Sequence, residues 1–289
     1  MKNTERIFSN IFRIQRSAQR FLIRLNCIAM IILIIRFQLL WSQTDLSPFL
    51  SPLRVVPQQS FGVGEELVFS VGWGLVNAGT AVMSITDLLQ YQGRPCYRIL
   101  ATAQSNKFFD SFYKVRDSTE SVVDSIGIFP WRFSKNLNEG RYHSKRWAQF
   151  DQEQGHVITA ETTYAVPSFV QDILSTFFYV RTHSIVPQST FDIENFSDNR
   201  HYPLRVLVKD RETIKVPAGT FNCIELEPIL RGEGLFKAKG RLHVWVTDDE
   251  KKIPVLMKSK ILLGSISAKL VAYKPDARSL PIGESPQEP

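Results

Sequence analysis

The sequence is poor in the residues that build small cross-linked or metal-dependent proteins. Among 289 residues it has three cysteines and five histidines, and no two of them lie at the spacing of a zinc site. Glycine and proline, 15 each, are too few for a collagen-like or low-complexity chain. An apolar fraction of 44% can fill a core. We therefore expect a folded protein that needs no metal and no other cofactor.

The common signatures of enzymes are also missing. The sequence has no Gly-x-Ser-x-Gly motif, no glycine-rich phosphate loop and no His-Glu-x-x-His motif. The acids that come nearest to a catalytic set are Asp117, Glu120 and Glu139, but nothing in their spacing favours catalysis. The sequence thus predicts a protein that is not an enzyme, and it identifies no catalytic residue.

Positive charge is concentrated at the N-terminus. The net charge is +7, but residues 1–43 hold seven lysines and arginines against the single acid Glu5. The remaining chain is close to neutral, with 28 basic and 27 acidic residues. Nucleic-acid binding needs a concentrated basic surface. We therefore predict no nucleic-acid partner.

A short apolar run follows this basic stretch. It covers residues 27–35, and polar residues return from Ser42. This order is typical of a secretory signal, with cleavage after Ser42 or Gln43. The alternatives are a cytoplasmic amphipathic segment and an uncleaved inner-membrane anchor over residues 21–41, through which the protein would contact the membrane. A bilayer span needs about 20 apolar residues, and here that length must include an arginine.

Composition divides the chain into four parts. Residues 1–43 are the signal peptide or anchor, and residues 44–62, with three prolines, form a linker. Residues 63–274 form a single β-rich domain, and residues 275–289 form a disordered tail. With either a signal or an anchor, we expect the domain beyond the inner membrane, in the periplasm or at the outer membrane.

The β prediction comes from apolar and polar residues that alternate with a period of two. Turn residues, among them Asn77–Gly79 and Gln92–Pro95, separate the segments at hairpin spacing, so the strands should be antiparallel. The predicted strands are Glu66–Val71, Thr80–Thr86, Cys96–Thr102, Phe112–Val123, Trp131–Leu137, Arg141–Asp151, Leu204–Val216, Thr220–Leu230, Arg241–Thr247, Pro254–Ile261 and Ser265–Tyr273.

One segment has helical rather than strand periodicity. Ser168 is a candidate N-cap, and the apolar residues of 169–181 fall mostly on one side of a helix. A twisted sheet of about a dozen strands must curl or split. The predicted fold is therefore mainly all-β: a large curved antiparallel sheet, an open partial barrel or β-roll, with one amphipathic helix packed on it.

Aromatic side chains are the candidate ligand-binding residues. They would either line a pocket for an apolar or lipid-like ligand or fill the core of the curved sheet. The candidates are Trp73, Phe109, Tyr113, Trp131, Trp147 and Phe177.

Two cysteines remain after the N-terminal segment. Cys96 and Cys223 both lie in apolar, strand-like contexts. An oxidising compartment would allow them to form a disulfide, while unpaired cysteines of this kind are commonly buried as small apolar residues. Both interpretations stay open at this point.

Four blocks of the sequence resemble a known family. They occur in the expected order and resemble the domain of unknown function 3108 family of bacterial exported proteins, and the resemblance covers about residues 64–274. The resemblance implies an envelope location and a β-rich fold, but no activity and no catalytic residue. The blocks are Gly64–Ala81, Phe108–Asp117, Val216–Cys223 and Gly240–Asp249.

Three functions are consistent with these observations. The first is an envelope protein that holds an apolar or lipid-like ligand in a curved sheet under the helix, by fold-level analogy with lipid carriers. The second is a structural or assembly partner of another envelope protein, which would expose an apolar patch or a free strand edge. The third, with least support, is a hydrolase of envelope polymers.

Overall fold

The alternating segments form β-strands, and the strands pair into one antiparallel sheet. The computed structural model describes residues 53–74, 76–230, 242–261 and 264–279. In this part of the chain the sheet has fourteen strands, accompanied by two α-helices and one 3-10 turn. The strands are β1 Glu66–Trp73, β2 Val76–Tyr91, β3 Arg94–Ser105, β4 Arg116–Asp124, β5 Pro130–Glu139, β6 Tyr142–Asp151, β7 His156–Thr159, β8 Thr163–Ala165, β9 Thr190–Ser197, β10 Arg200–Val216, β11 Gly219–Leu230, β12 Leu242–Thr247, β13 Pro254–Ile261 and β14 Gly264–Lys274. The helices are α1 Lys107–Asp110 and α2 Ile173–Val180, and the 3-10 turn is Ala277–Ser279.

Strands β1 to β8 lie side by side in sequence order, and so do strands β9 to β14. The two series meet where β1 pairs with β14, which leaves β8 and β9 at the two edges of the sheet. The predicted hairpin after β2 is confirmed: Gln92 and Gly93 have φ of 50° and 75°, the left-handed conformation of a tight two-residue turn. The turn predicted at Asn77–Gly79 is wrong, because these residues lie inside β2. The chain reverses instead near Gly74, whose φ is 60°.

The sheet curls so that its two edge strands, β8 and β9, approach each other. The N–H of Gln171 donates to the carbonyl of Glu194 (2.8 Å), and the N–H of Phe196 donates to the carbonyl of Gln171 (2.8 Å). The ring of Tyr164 in β8 lies 5.2 Å from that of Phe196 in β9. The result is an open partial barrel, which is the fold class that the sequence predicts.

Helix α2 packs on one face of the curled sheet, against β3, β4 and β9. Leu174 and Phe178 bury their side chains in a cluster with Ile85, Ile99 and Val123. The amphipathic helix is therefore confirmed, and its apolar side faces the sheet as the 3.6-residue periodicity requires.

The predicted start of this helix is wrong by four residues. Phe169 has a left-handed φ of 62°, and Gln171 is held in the ladder with β9. The helix therefore begins at Ile173, and Asp172 rather than Ser168 is its N-cap.

Strands β7, β8 and β9 are not among the predicted strands, and the predicted start of β4 is wrong. Strands β7 and β8 have four and three residues, too few for alternation to be visible. In β9 the apolar alternation ends at Ile193, because Asn195 is buried and its Nδ2 donates to Thr176 Oγ1 (2.7 Å). The strand predicted from Phe112 begins at Arg116, after helix α1 and a loop.

Residues 53–62 pack on the sheet, which corrects the linker prediction for this stretch. Phe61 is fully buried, and the Arg54 guanidinium donates to the carbonyls of Gly127 (2.9 Å) and Ile128 (2.7 Å). The proline content of this stretch is typical of a linker. Because Phe61 and Arg54 attach it to the sheet, residues 53–62 are part of the domain.

The described residues continue to 279, within the predicted tail, and Asp276 there is fully buried. Residues 1–52 and 280–289, with the predicted signal or anchor, the start of the linker and most of the tail, lie outside the described residues. Within the described ranges, neither helix is both long and apolar enough to cross a membrane.

Candidate functional site

Small side chains create space on one face of strands β2, β3 and β4. Ala81 lies opposite Ala103, and Ala103 lies opposite Asp117. In the next row Met83 lies opposite Ala101, which faces Thr119. Residues that oppose each other across an antiparallel pair share a face. Because three of these six side chains are alanines, the face is recessed here.

The recess is a pocket of about 390 Å³, which we call the inner pocket. Most of its apolar lining comes from β1 to β3, and all of its ionisable groups come from β4 and β5. The apolar lining includes Phe69, Ala81, Met83, Ala101, Ala103 and Met257. The polar lining comes from β4 and β5 and includes Asp117, Thr119, Lys135 and Glu139.

A second pocket of about 330 Å³, the rim pocket, shares Ala103 with the inner pocket. It is mostly apolar and takes residues from β1 to β3, from β14 and from the β3–β4 loop that carries α1. Its lining includes Val71, Trp73, Ala78, Gly79, Ala103, Phe109, Tyr113, Val115 and Ile266.

Gly79 allows strands β2 and β3 to approach closely below the rim pocket. A Cβ atom at this position would lie 2.1 Å from the carbonyl oxygen of Gln104, far inside van der Waals contact. The glycine is therefore required by the close approach of two backbones and not by a turn.

The loop between β3 and β4 carries two of the aromatic residues over the rim pocket. Asn106 caps α1, with its Oδ1 accepting from the N–H of Phe109 (3.0 Å) and its Nδ2 donating to the carbonyl of Asn77 (2.7 Å). Arg116 fixes the other side of the loop through Asp110 (Nη2 to Oδ2, 2.6 Å). These bonds tie α1 to β2 and β4 and so position Phe109.

The polar lining of the inner pocket carries two carboxyl groups and one ammonium group. Burial and the charge of Asp117 both raise the pKa of Glu139, and Lys135 opposes the rise. The hydroxyl of Tyr113 donates to Glu139 Oε2 (3.4 Å), which links the rim pocket to this group. The Lys135 ammonium lies 3.8 Å from Asp198 Oδ1. The site can therefore hold an apolar body against β1 to β3 and a polar group against β4 and β5.

The structure brings three of the six predicted aromatic residues together. Trp73, Phe109 and Tyr113 all line the rim pocket. The other three line neither pocket: Trp131 is buried with Phe129 (ring centroids 5.2 Å), Phe177 packs on the α2 cluster and Trp147 is exposed.

The candidate acids also separate. Asp117 and Glu139 face the inner pocket, whereas Glu120 is ion-paired with Arg98 (2.7 Å) on the opposite face of β4. Sequence reasoning missed the small residues that open the pocket. Their signal was present, because Gly79, Ala81, Ala101 and Ala103 occupy alternate positions of two adjacent strands.

Cys96 and Cys223 are free thiols buried in two different clusters of the core, so the structure contains no disulfide between them. Burial raises the pKa of each thiol to about 12. Only the thiolate is reactive, so both cysteines should be inert in the folded protein. No group of three or more His, Cys, Asp or Glu side chains suited to a metal ion occurs in the described residues.

In a Cys27→Ser variant, we expect Ellman's reagent to label no thiol of the folded protein and two thiols after unfolding in guanidinium. Absorbance of the released thiolate gives the count. Rapid labelling of the folded protein would contradict the burial of the two thiols. Absence of labelling after unfolding, restored by a reductant, would show a disulfide instead.

Three solved structures are similar to this chain, and the first of them supports the fold. The crystal structure of a β-barrel-like protein of domain of unknown function DUF1849 from Brucella abortus has a TM-score of 0.51 at 12% identity, covering 77% of this chain and 99% of that one. A candidate lipoprotein from Parabacteroides distasonis has a TM-score of 0.31 at 11% identity, with the same coverage. A candidate exported protein with a YmcC-like fold from Bacteroides fragilis has a TM-score of 0.28 at 12% identity, again with that coverage.

Comparison with curated protein sequences finds no significant match. A family model does match: that of the family described as Protein of unknown function (DUF3108), over residues 68–271. This range covers more than half of the sequence and coincides with the β domain, and the match confirms the resemblance in the four sequence blocks. The chain belongs to the DUF3108 family.

Proposed function

We propose that this protein is an exported cell-envelope protein that binds an apolar or amphipathic, lipid-like ligand in the rim and inner pockets. It acts by binding and not by catalysis. The observation that carries the proposal is the pair of pockets that meet at Ala103, with an apolar lining from β1 to β3 and ionisable groups at the far side.

The size and chemistry of the pockets support this function. Natural ligand sites are concave, mostly apolar and about 300–1,000 Å³ in volume, and both pockets lie within that range. A few ionisable groups at one side of a recess, here Asp117, Lys135 and Glu139, are the kind of polar groups that orient an amphipathic ligand. An apolar tail would lie under Trp73 and Phe109.

The N-terminal sequence supports export. The basic flank, the apolar run over residues 27–35 and the polar residues from Ser42 are the three parts of a secretory signal. Fusion of an alkaline phosphatase reporter after residue 279 tests this part, because the enzyme is active only outside the cytoplasm. A fusion protein that is inactive and remains in the cytoplasmic fraction would refute export.

Filling the shared wall of the two pockets is expected to weaken ligand binding. Ala103→Leu places three more carbon atoms where the pockets meet, so we expect its dissociation constant for a brominated fatty acid to rise about tenfold or more, about 1.4 kcal/mol. Ala165→Leu, at an exposed position of edge strand β8, is the matched control and should bind as the wild type does. Calorimetric titration measures both constants.

Two tryptophans of nearly equal exposure locate the ligand. Trp73 is 47% exposed and lines the rim pocket, while Trp147 is 46% exposed and lines neither pocket. Bromine quenches tryptophan emission by contact, so Trp73→Phe should remove the quenching that Trp147→Phe retains. Equal affinity of wild type and Ala103→Leu, or equal quenching in the two tryptophan variants, would overturn the proposed site.

A further inference from the structure

Three phenylalanines of the β3–β4 loop form a cluster that projects into solvent. Phe108 and Phe112 are 65% and 63% exposed, and their ring centroids are 5.1 Å apart. Each ring also lies 5.5 Å from that of Phe109, which is partly buried against the rim pocket. We call these three residues the rim cluster.

Other exposed apolar and aromatic side chains surround the rim cluster. Soluble proteins rarely expose a contiguous apolar patch of this kind unless it meets a partner or a membrane. The side chains come from the β1–β2 turn, from β14, from the loop itself and from the start of β6. They are Trp73, Val76, Tyr113, Tyr142 and Ile266.

Basic side chains flank the same patch. Lys107 and Lys114 are exposed at the two ends of the loop, and no ion pair joins either to a carboxylate among the described residues. Asp110, the acid of the loop, is already bound by Arg116 (2.6 Å). Arg141 is exposed in the β5–β6 turn, which lies beside the loop because the N–H of Gly140 donates to the carbonyl of Lys114 (2.7 Å). The patch therefore combines exposed aromatic rings with a positive border.

We propose that the rim cluster docks on the surface of a bilayer that contains anionic lipids. Aromatic side chains partition to the headgroup region of a membrane, and lysines and arginines at its border bind anionic headgroups. In this orientation Phe108 and Phe112 enter the boundary between the lipid headgroups and the acyl chains.

Charge complementarity favours this occupant over a protein surface. Two exposed phenylalanines flanked by Lys107, Lys114 and Arg141 suit an anionic, fluid surface, which needs no matched shape. The rim pocket opens at the same patch, since Trp73 and Tyr113 belong to both. In a docked molecule, the entrance of the rim pocket would therefore face the membrane. The docking surface can exist without a ligand in the pocket, so the two proposals stand or fall separately.

Hydrogen exchange of the full chain, measured peptide by peptide with vesicles, tests the docking surface. With vesicles of phosphatidylcholine and phosphatidylglycerol, we expect slowed exchange in residues 106–114. With phosphatidylcholine alone, and at high salt, we expect the protection to weaken, because the lysine contribution is lost or screened. The peptide resolution separates this surface from any membrane contact of residues 1–52.

One double variant tests the phenylalanines and another tests the lysines, and each has a matched control variant. Phe108→Ser with Phe112→Ser should reduce the protection of the loop about tenfold or more, whereas Leu88→Ser with Val186→Ser, both 56% exposed outside the patch, should not. Lys107→Glu with Lys114→Glu should abolish the preference for phosphatidylglycerol, whereas Lys145→Glu with Lys269→Glu should retain it.

Three results would overturn the proposal. The first is protection confined to residues 1–52. The second is loop protection that is the same in the phenylalanine variant and its control. The third is self-association of the wild type, lost in the phenylalanine variant, without any vesicle-dependent protection; this would make the patch an interface with a second copy of the chain.

Discussion

Replacing Arg181 by methionine is expected to lower the free energy of unfolding by about 3–5 kcal/mol, because it leaves the Glu65 carboxylate buried without its partner. The Arg181 Nη1 and Nη2 atoms lie 2.7 and 2.8 Å from the two oxygens of Glu65. The two side chains are 2% and 1% exposed. Such a pair tolerates the loss of one member poorly, since water cannot reach the other.

Further bonds tie the Arg181 guanidinium to distant parts of the chain. It donates to the carbonyls of Ser60 (2.8 Å) and Lys251 (2.9 Å), and its Cζ lies 5.1 Å from the centre of the Phe61 ring. Arg181 follows helix α2 and Glu65 precedes β1. Arg181→Met therefore also disconnects the helix from the strip over residues 53–62.

The matched control is Arg205→Met. Arg205 pairs with Asp192 (2.8 Å), but both side chains are more than a third exposed, so we expect a loss of about 1 kcal/mol or less. Urea unfolding followed by circular dichroism measures both variants. Similar losses in the two would show that burial does not govern the Arg181 pair. Glu65→Met combined with Arg181→Met should recover much of the loss, since no buried charge remains.

Asp172 carries the second large effect. Its Oδ1 accepts from the N–H groups of Leu174 (2.7 Å) and Ser175 (2.7 Å), and its Oδ2 accepts from Ser121 Oγ (2.5 Å). Asparagine can keep the two bonds to Oδ1 and donate from its Nδ2 to Ser121 Oγ, whereas alanine leaves these buried groups without partners. We expect Asp172→Ala to be less stable than Asp172→Asn by about 2–3 kcal/mol, measured by urea unfolding at one pH.

The same residue predicts a dependence of stability on pH. Complete burial raises the pKa of Asp172 to about 6, from 3.8 in water. The folded protein therefore holds this proton more tightly than the unfolded chain. The stabilisation that this proton gives the folded state is complete below about pH 4 and is lost as the pH rises through 6. The loss lowers the free energy of unfolding by up to about 3 kcal/mol. Between pH 4 and pH 7 the wild type should lose more stability than Asp172→Asn; parallel curves would refute the raised pKa.

The sequence predicts the type of fold well because the physical cause of a strand is local. The alternation of apolar and polar residues over Pro254–Ile261 predicts the strand with its observed bounds. The turn residues Gln92 and Gly93 predict the hairpin that the structure contains. The start of α2 was not predictable in this way. It depends on Gln171 pairing with β9, a contact between segments more than twenty residues apart that no local pattern contains.

The site was predictable only in part for the same reason. Trp73, Phe109 and Trp147 are equally prominent aromatic residues in the sequence. Register and loop geometry bring the first two to one pocket and leave Trp147 outside it. The recess itself comes from alanines, which sequence reasoning passes over because they carry no chemistry.

The pairing of β1 with β14 has a consequence for the order of folding. The strand at the centre of the sheet is also the last one described along the chain, so a nascent polypeptide cannot join its two halves until residue 274 has been synthesised. Until then β1 and β13 each have an unpaired side. Contacts between such distant positions form slowly. We therefore expect the sheet to close only after the whole domain has been synthesised.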